Sequence, residues 1–123
     1  MYGIFVNSDG GIPYADAIVQ GFKPVETRNR NTLKRLVGER VAVIRTRRNK
    51  APTVVGYVDV VRDEFCPVTL FEMYRDETLI PPGSRYDVRG RGKWFYRLAD
   101  AERCEPYPLP SDAVRHGRSW CEF

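Results

Sequence analysis

The sequence has 123 residues, of which 42% are hydrophobic and 29% charged, a composition typical of one folded domain and not of a disordered segment. No apolar run reaches the roughly 20 residues that a membrane-spanning helix needs. The start of the chain has no basic stretch, and its apolar segment is too short for a signal peptide. We therefore expect a single domain over residues 1–123 and no membrane partner.

Arginine dominates the positive charge of the chain. Lys and Arg together number 20 against 16 Asp and Glu, which gives a net charge of +4, and 16 of those 20 are Arg. The planar guanidinium matches phosphate groups and base edges better than an ammonium does. The bias therefore favours nucleic acid as a partner. A coding preference for Arg is the alternative explanation of the same count.

Cysteine and histidine are sparse. The three cysteines, Cys66, Cys104 and Cys121, are odd in number and include no C-x-x-C pair, which argues against a disulfide framework and a cysteine-rich zinc site. The single histidine, His116, is predicted to lie in a polar surface loop, and one histidine excludes every two-histidine metal motif. We expect no metal, no cofactor and a reducing, cytoplasmic location.

The first part of the chain predicts one strand and two short helices. The apolar residues 4–6 indicate a strand that ends in a turn signal at 7–11. Residues 13–20 predict a helix, with a proline at its first position and a glycine just after its end. The segment 22–27 is expected to be extended because its proline disfavours the helical region at the residue before it. Residues 31–37 predict a second short helix.

Two β-branched segments predict the clearest strands. Residues 41–46 and 53–61 are rich in Val and are separated by a polar turn at 47–50. Gly56, inside the second segment, indicates a bulge or the close approach of another backbone.

Shorter elements follow. Residues 67–75 predict a helix by the spacing of their apolar side chains, and 81–92 predict a loop rich in Gly, Pro and Arg. Residues 94–98 predict a late strand, and 105–110 an extended Pro-rich segment. Five or six strands with short helices between them favour an α+β fold, a small mixed β-barrel with the helices packed at its ends.

Charge alternates in blocks along the sequence. Residues 28–50 hold nine basic side chains and one acid, 59–77 hold six acids and two Arg, and 85–97 hold five basic side chains and one acid. Two basic blocks around an acidic one indicate one positive face. The second basic block is interleaved with aromatic side chains, as in surfaces that bind single-stranded nucleic acid. A solvated surface without a ligand is the alternative.

Three charged side chains, Lys23, Glu26 and Arg28, lie close together just after the first predicted helix. If residues 25–28 form a regular strand, Glu26 and Arg28 point to the same face, and the junction at Pro24 must redirect Lys23 toward them. Such a set can position a polar ligand, or it can be an ordinary structural ion pair.

The segment PYADAIVQGFKPVETRNR, which contains these residues, resembles the signature of ASCH domains in the PUA-like superfamily. The family pattern is a short helix followed by G-x-K-x-x-E-x-R, which reads here Gly21, Lys23, Glu26 and Arg28. Further on, VAVIRT with VVGYVDVV resembles the paired strands of the family, and KWFYRLADAERCEPYPLP with HGRSW resembles its closing region. The resemblance covers nearly the whole chain.

The resemblance implies a small β-barrel with a cleft beside the motif, where family members are proposed to bind RNA or nucleotides. Some small bacterial members are amidohydrolases of N4-acylated cytidines that use a Lys, a Thr and a Glu. Lys23 matches that Lys, but Glu26 stands where those enzymes have the Thr, and Thr27 is expected to face the other side of the strand. Glu72 and Glu77 are candidates for the downstream Glu.

The first hypothesis is therefore an RNA- or nucleotide-binding domain whose basic cleft surrounds the motif. Lys23 and Arg28 would contact phosphate or a base carbonyl, and Glu26 would accept a hydrogen bond from a base amino group. The expected partner is RNA or a modified nucleoside.

Five further residues are candidates for the same nucleic-acid surface. Arg45, Arg47 and Arg48 lie at the end of a predicted strand and in the basic turn after it, where phosphates of the backbone could be met. Trp94 and Tyr96 share one face of the late strand and could stack a base, although core packing is the other use of such a face.

Two alternatives remain open. The first is an amidohydrolase of N4-acylated cytidine, with Lys23 as base or nucleophile and Glu26 holding it or acting as acid. The second is a protein-interaction module whose Arg-rich face meets an acidic partner. The sequence predicts no oligomeric state.

Overall fold

Seven strands and four short helical segments make up the computed structural model of the chain, which describes residues 1–9 and 11–123. The strands are β1 (Tyr2–Asn7), β2 (Val25–Arg28), β3 (Arg40–Thr46), β4 (Thr53–Pro67), β5 (Gly92–Pro108), β6 (Val114–His116) and β7 (Trp120–Glu122). The α-helices are α1 (Tyr14–Val19) and α2 (Arg75–Thr78), and two 3₁₀ helices span Lys34–Leu36 and Val68–Tyr74. Gly10, part of the turn predicted at 7–11, lies outside the described residues.

The strands form one mixed sheet in the order β2-β5-β4-β3-β1-β7-β6. β1 and β3 run parallel, and the other neighbouring pairs are antiparallel. The long strands β4 and β5 form the main ladder, from Thr53 opposite Pro108 to Pro67 opposite Gly92, with three register shifts along it. Because β-bulges bend a strand and increase its twist, these shifts curl the sheet.

The curl brings the edge strand β2 close to β1, four places away in the sheet order. Between these two strands the described residues show no backbone pairing. Instead, the guanidinium of Arg28 in β2 donates a hydrogen bond to the carbonyl of Phe5 in β1, at 2.7 Å. We call this gap between β1 and β2 the seam. The predicted α+β, PUA-like fold is confirmed, and its sheet is left open along the seam.

Alternating side chains of the strands fill the inside of the curl. The inward-facing core residues of the central strands, all at most 3% exposed, are Ile4, Val6, Val41, Val43, Val58 and Val60. Burial of such a side chain contributes about 1.5–3 kcal/mol to the stability of the fold. The opposite face of the same strands carries a smaller cluster around Phe5, Ile44 and Cys121.

Gly56 allows α1 to lie close against β4. A Cβ atom at this position would be 2.2 Å from the carbonyl oxygen of Glu102 and 2.7 Å from Cγ1 of Val19. The ladder between β4 and β5 shifts register between Val54 and Gly56. The bulge and close approach predicted from this glycine are both present.

The predicted helix at 13–20 is confirmed as α1, whereas the one at 31–37 is reduced to a single 3₁₀ turn and the one at 67–75 is mostly 3₁₀. The first segment passes into extended chain at Val37, and the second continues directly into α2. Both are too short for helical spacing alone to fix an α-helix. Within the ranges 1–9 and 11–123, no helix is long and apolar enough to cross a membrane.

The strand prediction was short by one or two strands. β6 and β7 were not predicted, because each has only three residues and depends on pairing, β7 with β1 and β6 with β7. His116 was placed in a surface loop; it lies in β6 and is exposed, with its ring stacked on Trp120 at 3.9 Å between centroids. The predicted strands at 53–61 and 94–98 are both longer, since each continues along the other in the main ladder.

Candidate functional site

A cleft of about 170 Å³ opens at the seam. Its walls come from β1, the first residue of α1, the segment after α1, β2, the loop that follows α2 and the start of β5. The charged side chains that line it are Lys23, Glu26, Arg28 and Lys93. The fold thus gathers one carboxylate and three basic side chains from three segments, namely the residues after α1, β2 and the start of β5.

Lys23 lies in the wall of this cleft and is 2% exposed. Gly21, with a φ of +83°, makes the left-handed turn after α1 that leads the chain back to this position. The Lys23 Nζ donates hydrogen bonds to the carbonyl oxygens of Val25, at 2.9 Å, and Thr78, at 2.5 Å. Burial lowers the pKa of Lys23, and the carboxylate of Glu26 opposes that shift.

Glu26 is the carboxylate of the cleft, and it bridges its two basic neighbours. Its Oε1 lies 3.7 Å from the Lys23 Nζ and accepts a hydrogen bond from the backbone N–H of Thr27 at 3.1 Å. Its Oε2 accepts from Nη2 of Arg28 at 3.1 Å. The structure therefore brings the three motif side chains together, as the redirection at Pro24 requires.

Lys93 is a fourth charged residue of the cleft, and the sequence analysis did not single it out. It is 2% exposed, and its Nζ donates a hydrogen bond of 2.6 Å to the carbonyl of Tyr86. Burial lowers the pKa of Lys93 to about 8, with Glu26 opposing the shift and Lys23 adding to it. Strand alternation offered a signal, because Lys93 shares the inward face of β5 with Phe95.

Two tyrosines form an aromatic wall of the cleft and were also missed. The rings of Tyr14 and Tyr86 meet edge to face with centroids 6.1 Å apart. Both hydroxyl oxygens are buried without a hydrogen-bond partner among the described residues. Burial, with a smaller contribution from Asp9 and Glu26, raises the pKa of Tyr14 to about 12. The Lys23 ammonium lies 5.0 Å from the centre of the Tyr14 ring.

The two aromatic residues predicted to stack a base lie outside this cleft. Tyr96 is fully buried, and its hydroxyl donates to Oδ1 of Asn31 at 2.8 Å and accepts from the N–H of Leu33 at 3.2 Å. Trp94 packs edge to face on Phe65, with centroids 5.6 Å apart. Tyr96 has no free face because β5 is an interior strand of the curled sheet.

The three predicted phosphate-binding arginines have different surroundings. Arg45 is partly buried and its Nη1 donates to Asp16 of α1 at 3.2 Å, so it helps to hold that helix on the sheet. Arg47 and Arg48 are exposed in the turn after β3, and they line an open depression beside the cleft.

Of the residues considered for hydrolysis, some line the cleft and others lie outside it. Thr27, expected to face away from Lys23, lines the cleft together with it. Glu72 is paired with Arg75, and Glu77 accepts a hydrogen bond from Arg97 at 2.7 Å. Neither is part of the cleft wall, so Glu26 is the carboxylate nearest to Lys23 there. In the described ranges, no three His, Cys, Asp or Glu side chains come together as a metal site would require.

A curled mixed sheet with short helices and one polar cleft beside the first helix defines a small PUA-like α+β domain. A solved ASCH protein from Zymomonas mobilis has the same fold, with a TM-score of 0.66 and 26% sequence identity over 87% of this chain and 73% of that one. Crystal structures of two single-residue mutants of that protein match similarly, at TM-scores of 0.66 and 0.65 and identities of 27% and 26%. Those matches cover 87% of this chain and 74% and 76% of theirs.

No protein-family model matches the sequence, and no curated protein matches it. The shared fold extends over most of both chains and is accompanied by sequence identity above a quarter. This similarity in fold and sequence to ASCH proteins, over most of both chains, supports the assignment of the chain to the ASCH domain family.

Proposed function

We propose that the cleft at the seam binds a single base of an RNA or a nucleotide. The observation that carries this proposal is one buried carboxylate, Glu26, held between Lys23 and Arg28 in a small cleft. A base presents amino donors beside carbonyl and ring-nitrogen acceptors along one edge. A carboxylate acceptor beside a cationic donor is the complement of an amino group next to a ring nitrogen or carbonyl.

The size and walls of the cleft support a ligand of this kind. Its volume of about 170 Å³ is below the roughly 300–1,000 Å³ typical of sites for drug-sized ligands, which suits one base and not a larger metabolite. Tyr14 and Tyr86 provide aromatic surface at its wall. Stacking of a base on an aromatic side chain contributes about 1–3 kcal/mol and tolerates any base.

Arg28 keeps hydrogen-bonding capacity for a ligand. Its bonds to Phe5 and Glu26 both use Nη2. A guanidinium has five N–H donors, so Nη1 and Nε of Arg28 remain to meet a base carbonyl or a phosphate.

The test is a titration of the protein with cytidine, adenosine and uridine, in which binding is measured from the NMR chemical shifts of the cleft residues. We expect the two nucleosides with an exocyclic amino group to bind at least tenfold more tightly than uridine. Glu26→Gln should remove that preference because it replaces the charged acceptor. Glu39→Gln, on the exposed surface, is the matched control. If no nucleoside, nucleotide or RNA oligonucleotide shifts the cleft resonances, the proposal is wrong.

A second candidate function is supported by Lys23 and Thr27 lining the same cleft as Glu26. This is hydrolysis of the amide in an N4-acylated cytidine. Water would add to the acyl carbonyl carbon, the bond from that carbon to N4 would break, and cytidine and a carboxylic acid would leave. The lowered pKa of Lys23 favours the neutral amine, which suits a general base, and Glu26 would hold that amine or protonate N4.

Turnover separates the two functions, because binding is common to both. The protein is incubated with N4-acetylcytidine and the mixture is separated by chromatography to detect cytidine. Lys23→Met should abolish product, whereas Lys50→Met, in an exposed turn, should leave the rate unchanged. Absence of product from the wild-type protein, or equal product from Lys23→Met, rules out hydrolysis and leaves the binding proposal intact.

A further inference from the structure

We propose that the depression beside the cleft is a phosphate subsite, so that the ligand is a nucleotide unit and not a free nucleoside. The subsite is formed by Arg47, Arg48 and Arg85, with Asn7 and Tyr86 between it and the cleft. The inference rests on the proposed function of the cleft and adds the chemical class of its ligand.

The depression and the cleft are continuous. Asn7, at the end of β1, and Tyr86, in the loop before β5, line both of them. The depression encloses about 550 Å³ and is open to solvent along its length, which suits a sugar–phosphate chain better than a buried small molecule. A base held in the cleft therefore has its ribose and phosphate at the entrance to this depression.

Its arginines are free of acidic partners. In the part of the chain that the structure describes, none of Arg47, Arg48 and Arg85 forms an ion pair, and no Asp or Glu lines the depression. The arginines that do have carboxylate partners are Arg28, Arg40, Arg45, Arg75 and Arg97. Positive charge is thus left uncompensated at this place on the surface, next to the cleft.

The three guanidinium groups reach the depression from two separate segments. Arg47 and Arg48 belong to the turn between β3 and β4, and Arg85 to the loop between α2 and β5. The Arg85 guanidinium lies 5.2 Å from the centre of the Tyr86 ring. Tyr86 therefore joins the two subsites, because one ring forms the cleft wall and supports a phosphate-binding arginine.

A phosphate is the group that this arrangement fits. Guanidinium groups bind phosphate oxygens in a bidentate manner, and an anion between them relieves the mutual repulsion of three like charges. An acidic protein side chain would offer the same charge, but it would not come attached to a base in the adjoining cleft.

The test compares each nucleoside with its 5′- and 3′-monophosphates by titration calorimetry at constant ionic strength. We expect the wild-type protein to bind one monophosphate at least tenfold more tightly than the nucleoside. The variant Arg47→Gln/Arg48→Gln/Arg85→Gln should reduce that ratio to within twofold, through weaker binding of the monophosphate. The control Arg62→Gln/Arg103→Gln/Arg118→Gln removes the same charge from exposed positions outside the depression and should keep the ratio.

Further arms separate the sources of phosphate. With a short single-stranded RNA, the slope of log affinity against log salt should fall by about 2 in the first variant, since each phosphate contact contributes about 0.7. Inorganic phosphate alone should bind at least tenfold more weakly than the monophosphate. Equal binding of nucleoside and monophosphate overturns the subsite and leaves the cleft proposal standing. Failure of every nucleoside, nucleotide and RNA to bind overturns both.

Discussion

Arg28 and Phe5 are joined by a hydrogen bond of 2.7 Å that spans the seam, from the guanidinium of one edge strand to a backbone carbonyl of β1. The same Nη2 also donates to Glu26. One side chain therefore ties the two walls of the cleft together and orients its carboxylate. Stability of the curled sheet and geometry of the site depend on the same group.

The first prediction concerns that tie. Arg28→Met should lower the free energy of unfolding by about 2–3 kcal/mol, because it removes a hydrogen bond from a charged donor and leaves the buried Glu26 with one cation fewer. Arg28→Lys should recover only part of this loss, since one ammonium does not reproduce the fork of the guanidinium. Urea denaturation monitored by tryptophan fluorescence measures both.

Arg62→Met is the control for this pair, because Arg62 is exposed on β4 and does not line the cleft. A cost for Arg28→Met no larger than that of the control would contradict the role of Arg28 at the seam.

The second prediction concerns Glu26 as the counter-charge of the buried amines. Glu26→Gln should cost about 3 kcal/mol at neutral pH, because removal of one partner leaves the Lys23 ammonium buried without compensation. The cost should shrink as pH rises, since the pKa of Lys23 is lowered and the neutral amine needs no counter-charge. Unfolding curves of the wild-type protein and the variant at pH 7 and pH 9 measure the cost of the substitution and the direction in which it changes with pH. A cost that grows with pH would contradict this account.

The third prediction concerns Lys93. Its pKa of about 8 in the folded protein lies below the ordinary value of 10.5, so the unfolded chain binds more protons between these two values. The free energy of unfolding therefore rises as pH increases from about 8 to about 10.5. At neutral pH, burial of the charged Lys93 ammonium lowers the stability of the fold. Lys93→Met should flatten the dependence of unfolding free energy on pH over that range.

Lys50→Met, in the exposed turn after β3, should leave the dependence as it is in the wild-type protein. NMR of the ε-carbon of Lys93 gives a direct measurement, and titration of that carbon above pH 10 would show that burial does not control the amine.

The motif residues were accessible from the sequence because they are local. Lys23, Glu26 and Arg28 lie within six residues, and alternation in β2 places the last two on one face. Lys93 and Tyr86 belong to the same cleft only because β5 pairs with β2 and the sheet curls back to β1. Spacing along the chain does not contain that information.

The elements of the fold likewise divide into those that local sequence predicts and those that depend on long-range contacts. The β-branched strands and α1 follow from periodicity, whereas β7 depends on pairing with β1, more than 100 residues away, and β6 depends on pairing with β7. The burial of Tyr96 has the same origin, because its hydroxyl is satisfied by Asn31 and Leu33 from a distant loop. The sequence pattern left both base stacking and core packing open for Tyr96, and the long-range contacts place it in the core.

The fourth prediction concerns the hydroxyl groups of the aromatic wall. Tyr14→Phe should leave the free energy of unfolding unchanged or raise it by about 1 kcal/mol, because the hydroxyl is buried and has no hydrogen-bond partner among residues 1–9 and 11–123. Tyr96→Phe should instead cost about 1–2 kcal/mol, since the Leu33 N–H loses its acceptor and Oδ1 of Asn31 loses its donor. Thermal unfolding of the two variants side by side measures the difference. A larger loss for Tyr14→Phe than for Tyr96→Phe would show that the Tyr14 hydroxyl has a partner in solution.

The last prediction concerns Gly56, which sets the position of α1 and hence of Lys23. Gly56→Ala would place a methyl group 2.2 Å from the Glu102 carbonyl oxygen in β5. The backbone of Glu102 is held by strand pairing and can move only slightly to relieve this contact. We expect a loss of about 1–3 kcal/mol from overpacking, accompanied by weaker ligand binding, because Val19 of α1 must also move.

Gly38→Ala provides the matched control. Gly38 has a φ of +88°, and a Cβ atom there meets no described atom within 4 Å. Its substitution therefore costs only the strain of a left-handed residue, about 1 kcal/mol, and should leave binding in the cleft intact. If both variants lose stability equally and neither weakens binding, the contact between Gly56 and α1 does not position the site, and Lys23 must be held by its bonds to Val25 and Thr78 alone.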